Sequence, residues 1–351
     1  MLRLLAALLL LASAAHAQDV LHVYNWTDYI PPETVQRFEK ENRCKVVYTT
    51  YGSNEELLAK LAAGAKGYDI IVPTDYAVEI LIRQDALLPL DRSKLKNWGN
   101  LDPAFLDRPF DPGNRYSVPY AYGLALLGYN EKKMKALGIP TDTWAALFEP
   151  KHLEKMKGKV TVLDDQKELV GDALRYLGYP AGDTDESHWK EAAALIRRAK
   201  PYWAAFNGTS YIRLLASGQV WLVHGYSMDV YQAQEAADKA GKGVRIGYSI
   251  PKEGSTMGMD NLVILKTAPR PDLAHRFIDF MLDGRNAAGL TNQIGAGNPN
   301  RAALRHVDPK LAKNKVIFPD AETMARLENL RELGAEKRKA LNRLWTEIKL
   351  K

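Results

Sequence analysis

The short unbroken apolar run from Tyr68 to Pro73 is the feature that most constrains the fold. A strand without polar alternation is buried on both faces, and that is the pattern of a parallel sheet covered by helices. The residues before it fit the same plan. Val23 to Trp26 alternates like a strand, Pro31 and Pro32 suit a helix start with Val35 and Phe38 as its apolar stripe, and a second strand is expected from Cys44 to Thr49. Ser53 and Glu56 then form a capping box that opens a helix through Leu57, Leu58 and Leu61, with Gly64 as its stop. Strand, helix, strand, helix, strand is a doubly wound α/β unit, whose ligands bind in the crevice outside the carboxyl ends of the strands.

The polar and aromatic residues cluster at those ends. Trp26, Asp28 and Tyr29 follow the first strand, and Thr74, Asp75 and Tyr76 follow the third. Taken alone, Trp26 and Tyr29 serve equally well as core aromatics. Residues 91 to 114, rich in Asp, Asn, Pro and Gly, read as a long surface excursion. The Gly-punctuated segment Tyr116 to Asn130 is extended and suited to leave one domain for another.

A second α/β series follows. Val160 to Leu163 is a strand ending in Asp164, Asp165 and Glu168, which open the helix Leu169 to Leu177. Acids there are also what the helix macrodipole favours. Val220 to Val223 is a strand ending in His224, Tyr226 and Asp229, and Gly258 to Asn261, with Asp260, leads into a buried strand Leu262 to Leu265. The remainder reads as largely helical.

Arg3, the apolar run Leu4 to Leu11 and the small residues ending at Ala17 have the order of a secretory signal peptide, so the mature chain is expected to begin at Gln18. No Cys stands there to accept a lipid, and no later stretch approaches the roughly 20 apolar residues of a membrane span. The single Cys44 lies in a strand pattern and is expected to be a buried small hydrophobe. What remains of the 351 residues exceeds one core, so two domains are expected. Net charge is +6, much of it in Lys337 to Lys339 and Lys349 to Lys351, which reads as a solvated helix face rather than a nucleic-acid surface.

An acidic and aromatic set on a basic chain points to a cationic ligand with an apolar body. Carboxylates bind ammonium groups, and ring faces take methylenes and add cation–π attraction of roughly 0.5 to 2 kcal/mol per contact. The acids also fit a glycosidase pair, Asp165 with Glu168 or Asp229 with Asp260. No Gly-x-Ser-x-Gly elbow, dinucleotide fingerprint or His-Glu-x-x-His motif occurs, and neither a metal nor a cofactor is expected. His224 reads as a hydrogen-bonded sheet residue.

Six segments, in order, resemble the periplasmic spermidine/putrescine-binding proteins of polyamine ABC transporters. They are Tyr24 to Tyr29, Tyr68 to Pro73, Leu163 to Glu168, Gly225 to Val230, Ser249 to Gly254 and Phe318 to Thr323. The resemblance implies a type II binding protein, two α/β lobes with mainly parallel sheets joined by crossover strands, closing like a clamp. Lobe one would hold residues 18 to 122 and 256 to 298, and lobe two 123 to 255 and 299 to 351. It further implies an aromatic wall of Trp26 and Tyr29, a polar group of Thr74 to Tyr76, acids Asp165 and Glu168 for one ammonium, the pair Tyr226 and Asp229, and Asp260 on the second crossover. Where family members usually carry an aromatic, a Tyr and a spermidine-type Gln, this chain has Gly258, Ala296 and Leu330. The implied protein is a monomeric receptor delivering a polyamine to an inner-membrane permease. An amine sensor for a membrane signalling partner and a secreted hydrolase are the alternatives.

Overall fold

The computed structural model describes residues 19–27 and 29–350. The proposed signal peptide, and Asp28 among the candidate site residues, lie outside the described residues. Ten strands form one continuous sheet: β1 (Asp19–Trp26), β2 (Cys44–Tyr51), β3 (Ile70–Ile71), β4 (Ser117–Asn130), β5 (Val160–Val162), β6 (Ala205–Phe206), β7 (Leu222–Tyr226), β8 (Ile246–Ser249), β9 (Ser255–Ile264) and β10 (Leu327–Glu328). Their order is β2-β1-β3-β9-β4-β7-β5-β6, with β10 paired to β9 and β8 to β4. Two parallel blocks, β2-β1-β3 and β7-β5-β6, flank an antiparallel pair of long strands, β4 and β9.

Each block is covered on both faces, which explains its apolar runs. Successive residues of a strand point to opposite faces. In the first block Val23, Ile70 and Leu262 join one core with Phe38 and Phe277, while Tyr24, Ile71 and Val263 join another with Leu57, Val78 and Leu81. In the second block Leu127, Val160 and Leu222 pack with Trp144, Ala173 and Ile196, and Leu126, Val223 and Val230 pack with Tyr211 on the other face. Cys44 is buried and free. Residues 91 to 114 do more than cross the surface, because four short 3₁₀ turns there seat Leu95, Leu101, Phe105 and Phe110 in the first block's cores.

Local signals hold where they are strong. Ser53 caps the helix Asn54–Ala62 by accepting from the Glu56 N–H, at 3.1 Å. Several expected boundaries moved, and the strand expected at Val220 to Val223 is Leu222–Tyr226. β2 runs on to Tyr51 beside Trp26, and the segment expected to lead into a strand at Leu262 is itself strand, since β9 starts at Ser255 and pairs with β4 from Met257 onward. Asp260 therefore stands within a strand and not at its end, because the long partner β4 pairs with β9 from Met257 to Val263.

His224 is fully buried, its Nε2 2.9 Å from Asp172, and the Ser255 hydroxyl lies 3.2 Å from the same carboxylate, so helix, β7 and β9 meet at one polar node. The basic C-terminus is compensated locally: Lys337 pairs with Glu186 at 3.1 Å, Arg338 with Glu332 at 3.2 Å and Lys349 with Asp164 at 2.7 Å. The helix Gly334–Leu350 buries Leu341 and Ile348 in the second block, while the segment Arg301–His306 packs on the helix Gly284–Ile294. Among the described residues no helix is long and apolar enough to cross a membrane.

The crossover is pinned at Tyr122. Its N–H donates to the Gly297 carbonyl at 3.0 Å, the Gly297 N–H donates back at 2.9 Å, and its hydroxyl donates to the Ile317 carbonyl at 2.7 Å. A Cβ on Gly297 would stand 2.1 Å from the Tyr122 ring, so the close approach requires glycine. Gly297→Ala is therefore expected to destabilise the fold by about 1–3 kcal/mol, as overpacking does. Urea unfolding checks this, and an unchanged midpoint would contradict the packing argument.

Candidate functional site

The carboxyl ends of β1, β3, β5 and β7 face one crevice, bordered by β9. On the first block, the Trp26 indole N–H donates to the Val72 carbonyl at 2.9 Å, which locks the ring against the neighbouring strand. Tyr29 is held from both sides: its carbonyl accepts from the Tyr120 hydroxyl at 2.7 Å, and its own hydroxyl donates to Asp260 Oδ2 at 2.8 Å. The other oxygen of Asp260 accepts from the Thr74 hydroxyl at 2.7 Å. Among the described residues Asp260 is thus held by neutral donors and pairs with no cation.

Asp75 turns inward from the first turn of its helix. It accepts from the Asn329 side-chain amide at 2.8 Å and from the Met259 N–H at 3.3 Å, tying the C-terminal segment to β9 and the first block. Tyr76 lines the crevice, its hydroxyl donating to Glu55 at 3.0 Å.

On the second block, Asp165 is the N-cap of the helix Gln166–Leu177 and accepts from the N–H groups of Lys167 at 2.9 Å and Glu168 at 3.1 Å. Glu168, one turn in, accepts from the Thr256 hydroxyl on β9. Asp164 also lines the cavity and pairs there with Lys349 at 2.7 Å. Tyr226 ends β7, and Asp229 follows in the first turn of the helix Ser227–Ala240, accepting from the Tyr211 hydroxyl, which also accepts from the Tyr226 N–H at 3.1 Å.

The candidate residues fall into three touching groups. Thr74, Asp75, Tyr76, Asp165 and Glu168 line a cavity of about 440 Å³ together with Glu55, Lys167, Gly258, Leu330 and Trp345. Trp26, Tyr29 and Asp260 form the wall beside it, joined through Thr74. Tyr226 and Asp229 form the third group, close enough that Tyr226 feels the charges of Asp165 and Glu168, and Tyr29 that of Asp229. Across the crevice the Met228 sulfur lies 3.8 Å from the Tyr29 hydroxyl, and the Lys167 ammonium stands 3.7 Å from the centre of the Tyr76 ring. Of the positions where family members carry other residues, Gly258 and Leu330 line the cavity, whereas Ala296 is buried in the core.

Electrostatics set this crevice apart. Burial pushes Asp75 up to about 7 and Asp260 up to about 6, each opposed only in part by its hydrogen bonds. Burial also raises Glu168 well above the usual carboxylate range, with the charges of Asp165 and Asp172 adding to it and the Thr256 hydroxyl opposing. Asp165 is raised by burial against the pull of the two cap N–H groups, and Asp229 by burial against the Tyr211 hydroxyl. Asp165, Glu168 and Asp229 are partly reachable by water, yet protein surrounds them on most sides, so solvation is poor even where a water can touch. Among the described residues none of the five makes an ion pair. An ionised set of this kind is completed by a cation from outside.

Residues the sequence did not single out have clear roles. Tyr51, its ring 4.6 Å from Trp26, extends the aromatic wall; it was reachable by carrying the second strand two residues further. Tyr120 positions Tyr29, and Thr256 holds Glu168, but both lie on the crossovers, where no strand end signals them. Lys167 was visible only as part of a helix start.

The architecture and the carboxylate crevice are those of a solute-binding protein, and the chain belongs to the bacterial extracellular solute-binding protein family, whose description matches residues 33–319. It is 53% identical over 350 residues to the putrescine/cadaverine-binding protein of Pseudomonas aeruginosa, spanning 100% of this chain and 99% of that one. It is 35% identical to the putrescine-binding periplasmic protein PotF of Escherichia coli, over 95% and 92% of the two chains. The crystal structure of the spermidine/putrescine ABC transporter substrate-binding protein PotD from Streptococcus pneumoniae superposes with a TM-score of 0.86 at 29% identity, covering 95% of this chain and 99% of that one. These are binding proteins, not enzymes, and the hydrolase alternative is set aside.

The raised carboxyls give the fold a signed pH response. Unfolded carboxylates titrate near 3.9, whereas Asp260 and Asp75 hold their protons to about 6 and about 7 when folded. Between those values the folded state binds more protons than the unfolded one, so their contribution to stability falls as pH rises through that window and is regained on acidification. The urea midpoint of ligand-free protein is expected to rise from about pH 7.5 to about pH 5, with a shallower rise in Asp260→Asn. An identical pH response in that variant would remove Asp260 from the account.

Proposed function

We propose that this protein is a periplasmic receptor that captures a polyamine between two lobes and delivers it to an inner-membrane ABC permease. The observation that carries it is the set of five desolvated carboxyls, Asp75, Asp165, Glu168, Asp229 and Asp260, beside the rings of Trp26, Tyr29, Tyr76 and Tyr226 and without an ion-pair partner among the described residues. A linear diamine matches this chemistry: an ammonium at each end for the acids, and a methylene chain for the ring faces. The names of the relatives, putrescine with cadaverine and putrescine alone, support the same ligand class.

The lobes follow the two parallel blocks, residues 18–122 with 256–298 and 123–255 with 299–351, and β4 and β9 are the hinge. Asp260 and Tyr29 belong to one side, Asp165, Glu168, Tyr226 and Asp229 to the other. A dication bridging them makes contacts that exist only in the closed form, and this differential affinity drives closure. Export through the segment before Gln18 supplies the periplasmic location, and the receptor works as a monomer without nucleic acid.

Titration calorimetry with putrescine, cadaverine and spermidine tests the proposal. Binding well below millimolar is expected for at least one of them; none binding below millimolar would sink it. Glu168→Gln is expected to weaken the bound amine by at least about tenfold, the scale of about 1.4 kcal/mol. Trp26→Ala should weaken every amine, while Asp229→Asn should reduce affinity most for ligands long enough to reach it. Equal losses across all amines for both variants would undo that division of roles. Affinity should also fall as pH drops through the range where Asp75 and Asp260 protonate, opposite in sign to the stability of the empty protein.

A further inference from the structure

We propose that Lys167 is a built-in cation that limits the length of the amine the crevice accepts, favouring a short diamine over a triamine. This rests on the amine-receptor function above and concerns the choice within that class.

Lys167 belongs to the helix Gln166–Leu177 on the second block, but its ammonium stands 3.7 Å from the centre of the Tyr76 ring on the first. It lines the same cavity as Asp165, Glu168 and Leu330. Its place in the helix is electrostatically unfavourable, because the second helical position sits at the positive end of the macrodipole, where acids are preferred. The neighbouring acids offset this. Asp165 feels the Lys167 charge, and its side chain accepts the Lys167 N–H.

The consequence is that one end of an otherwise anionic crevice already holds an ammonium on an aromatic face. An amine whose two charges lie between Glu168 and Asp260 leaves that end alone. A longer amine would bring a third ammonium against Lys167, where like charges in a poorly solvated space repel. It would meet no compensating acceptor from Leu330, which is apolar and lines the same end. The Tyr76 face, which would otherwise receive a terminal ammonium, is covered.

The test is calorimetry on the whole protein as wild type, K167M and K167Q, each with putrescine, cadaverine and spermidine. Removing the charge is expected to strengthen spermidine by at least about tenfold relative to putrescine in both variants, with diamine affinity rising by less. Thermal midpoints report folding; K167Q keeps a polar tip of similar reach should the apolar variant fold poorly. A spermidine-to-putrescine ratio within about threefold of wild type in both variants overturns the proposal. So does loss of all amine binding in folded variants, which would make Lys167 part of the binding machinery instead. Wild type that binds none of the three amines overturns the receptor function as well, whereas wild type that binds diamines with an unmoved ratio overturns the Lys167 role alone.

Discussion

Burial of carboxyl groups held only by neutral donors is the constraint around which this structure is arranged. Burial raises Glu168, with the charges of Asp165 and Asp172 adding to it, and it raises Asp75, with the charge of Asp260 a smaller addition. A protein left with that arrangement neutralises it by protonation or by an external cation. What holds the acids in place is a set of neutral donors: Thr74 and Tyr29 on Asp260, Thr256 on Glu168, Tyr211 on Asp229, and the cap N–H groups on Asp165. Neutral donors orient a carboxylate without cancelling its charge. The crevice is preorganised and electrostatically incomplete.

The two long antiparallel strands join this local chemistry to both blocks of the sheet. β4 and β9 pair with each other through the middle of the sheet and carry Asp260, Thr256 and Tyr120 between the blocks. Each block is independently buried on both faces, so its own geometry is stiff. Side chains meet across the crevice where Lys167 lies on Tyr76 and Met228 beside Tyr29. The C-terminal segment adds a strap, with Asn329 on Asp75 and Arg331 2.9 Å from Glu79, after which the chain returns to the second block.

Sequence reasoning succeeded where one local signal settles the matter. The apolar run at Tyr68 to Pro73 announced a doubly buried strand, and Ser53 announced a helix cap. It fell short where long-range pairing decides. The stretch before Leu262 looked like a lead-in because Gly258 and Asp260 are poor strand residues, and only pairing with β4 makes them strand. Tyr51, Tyr120 and Thr256 were missed for the same reason: their importance lies in what they touch.

The amino-acid sequence by itself determined the alternation of strands and helices and the acidic and aromatic residue types at the strand ends, because these follow from local burial and helix-start rules. Only the tertiary structure decided which acids share a space, how far burial raises them, and that Lys167 reaches across to Tyr76. Those properties depend on distances between residues remote in the chain, and electrostatic energy is a function of distance and surrounding dielectric, neither of which is written in residue order.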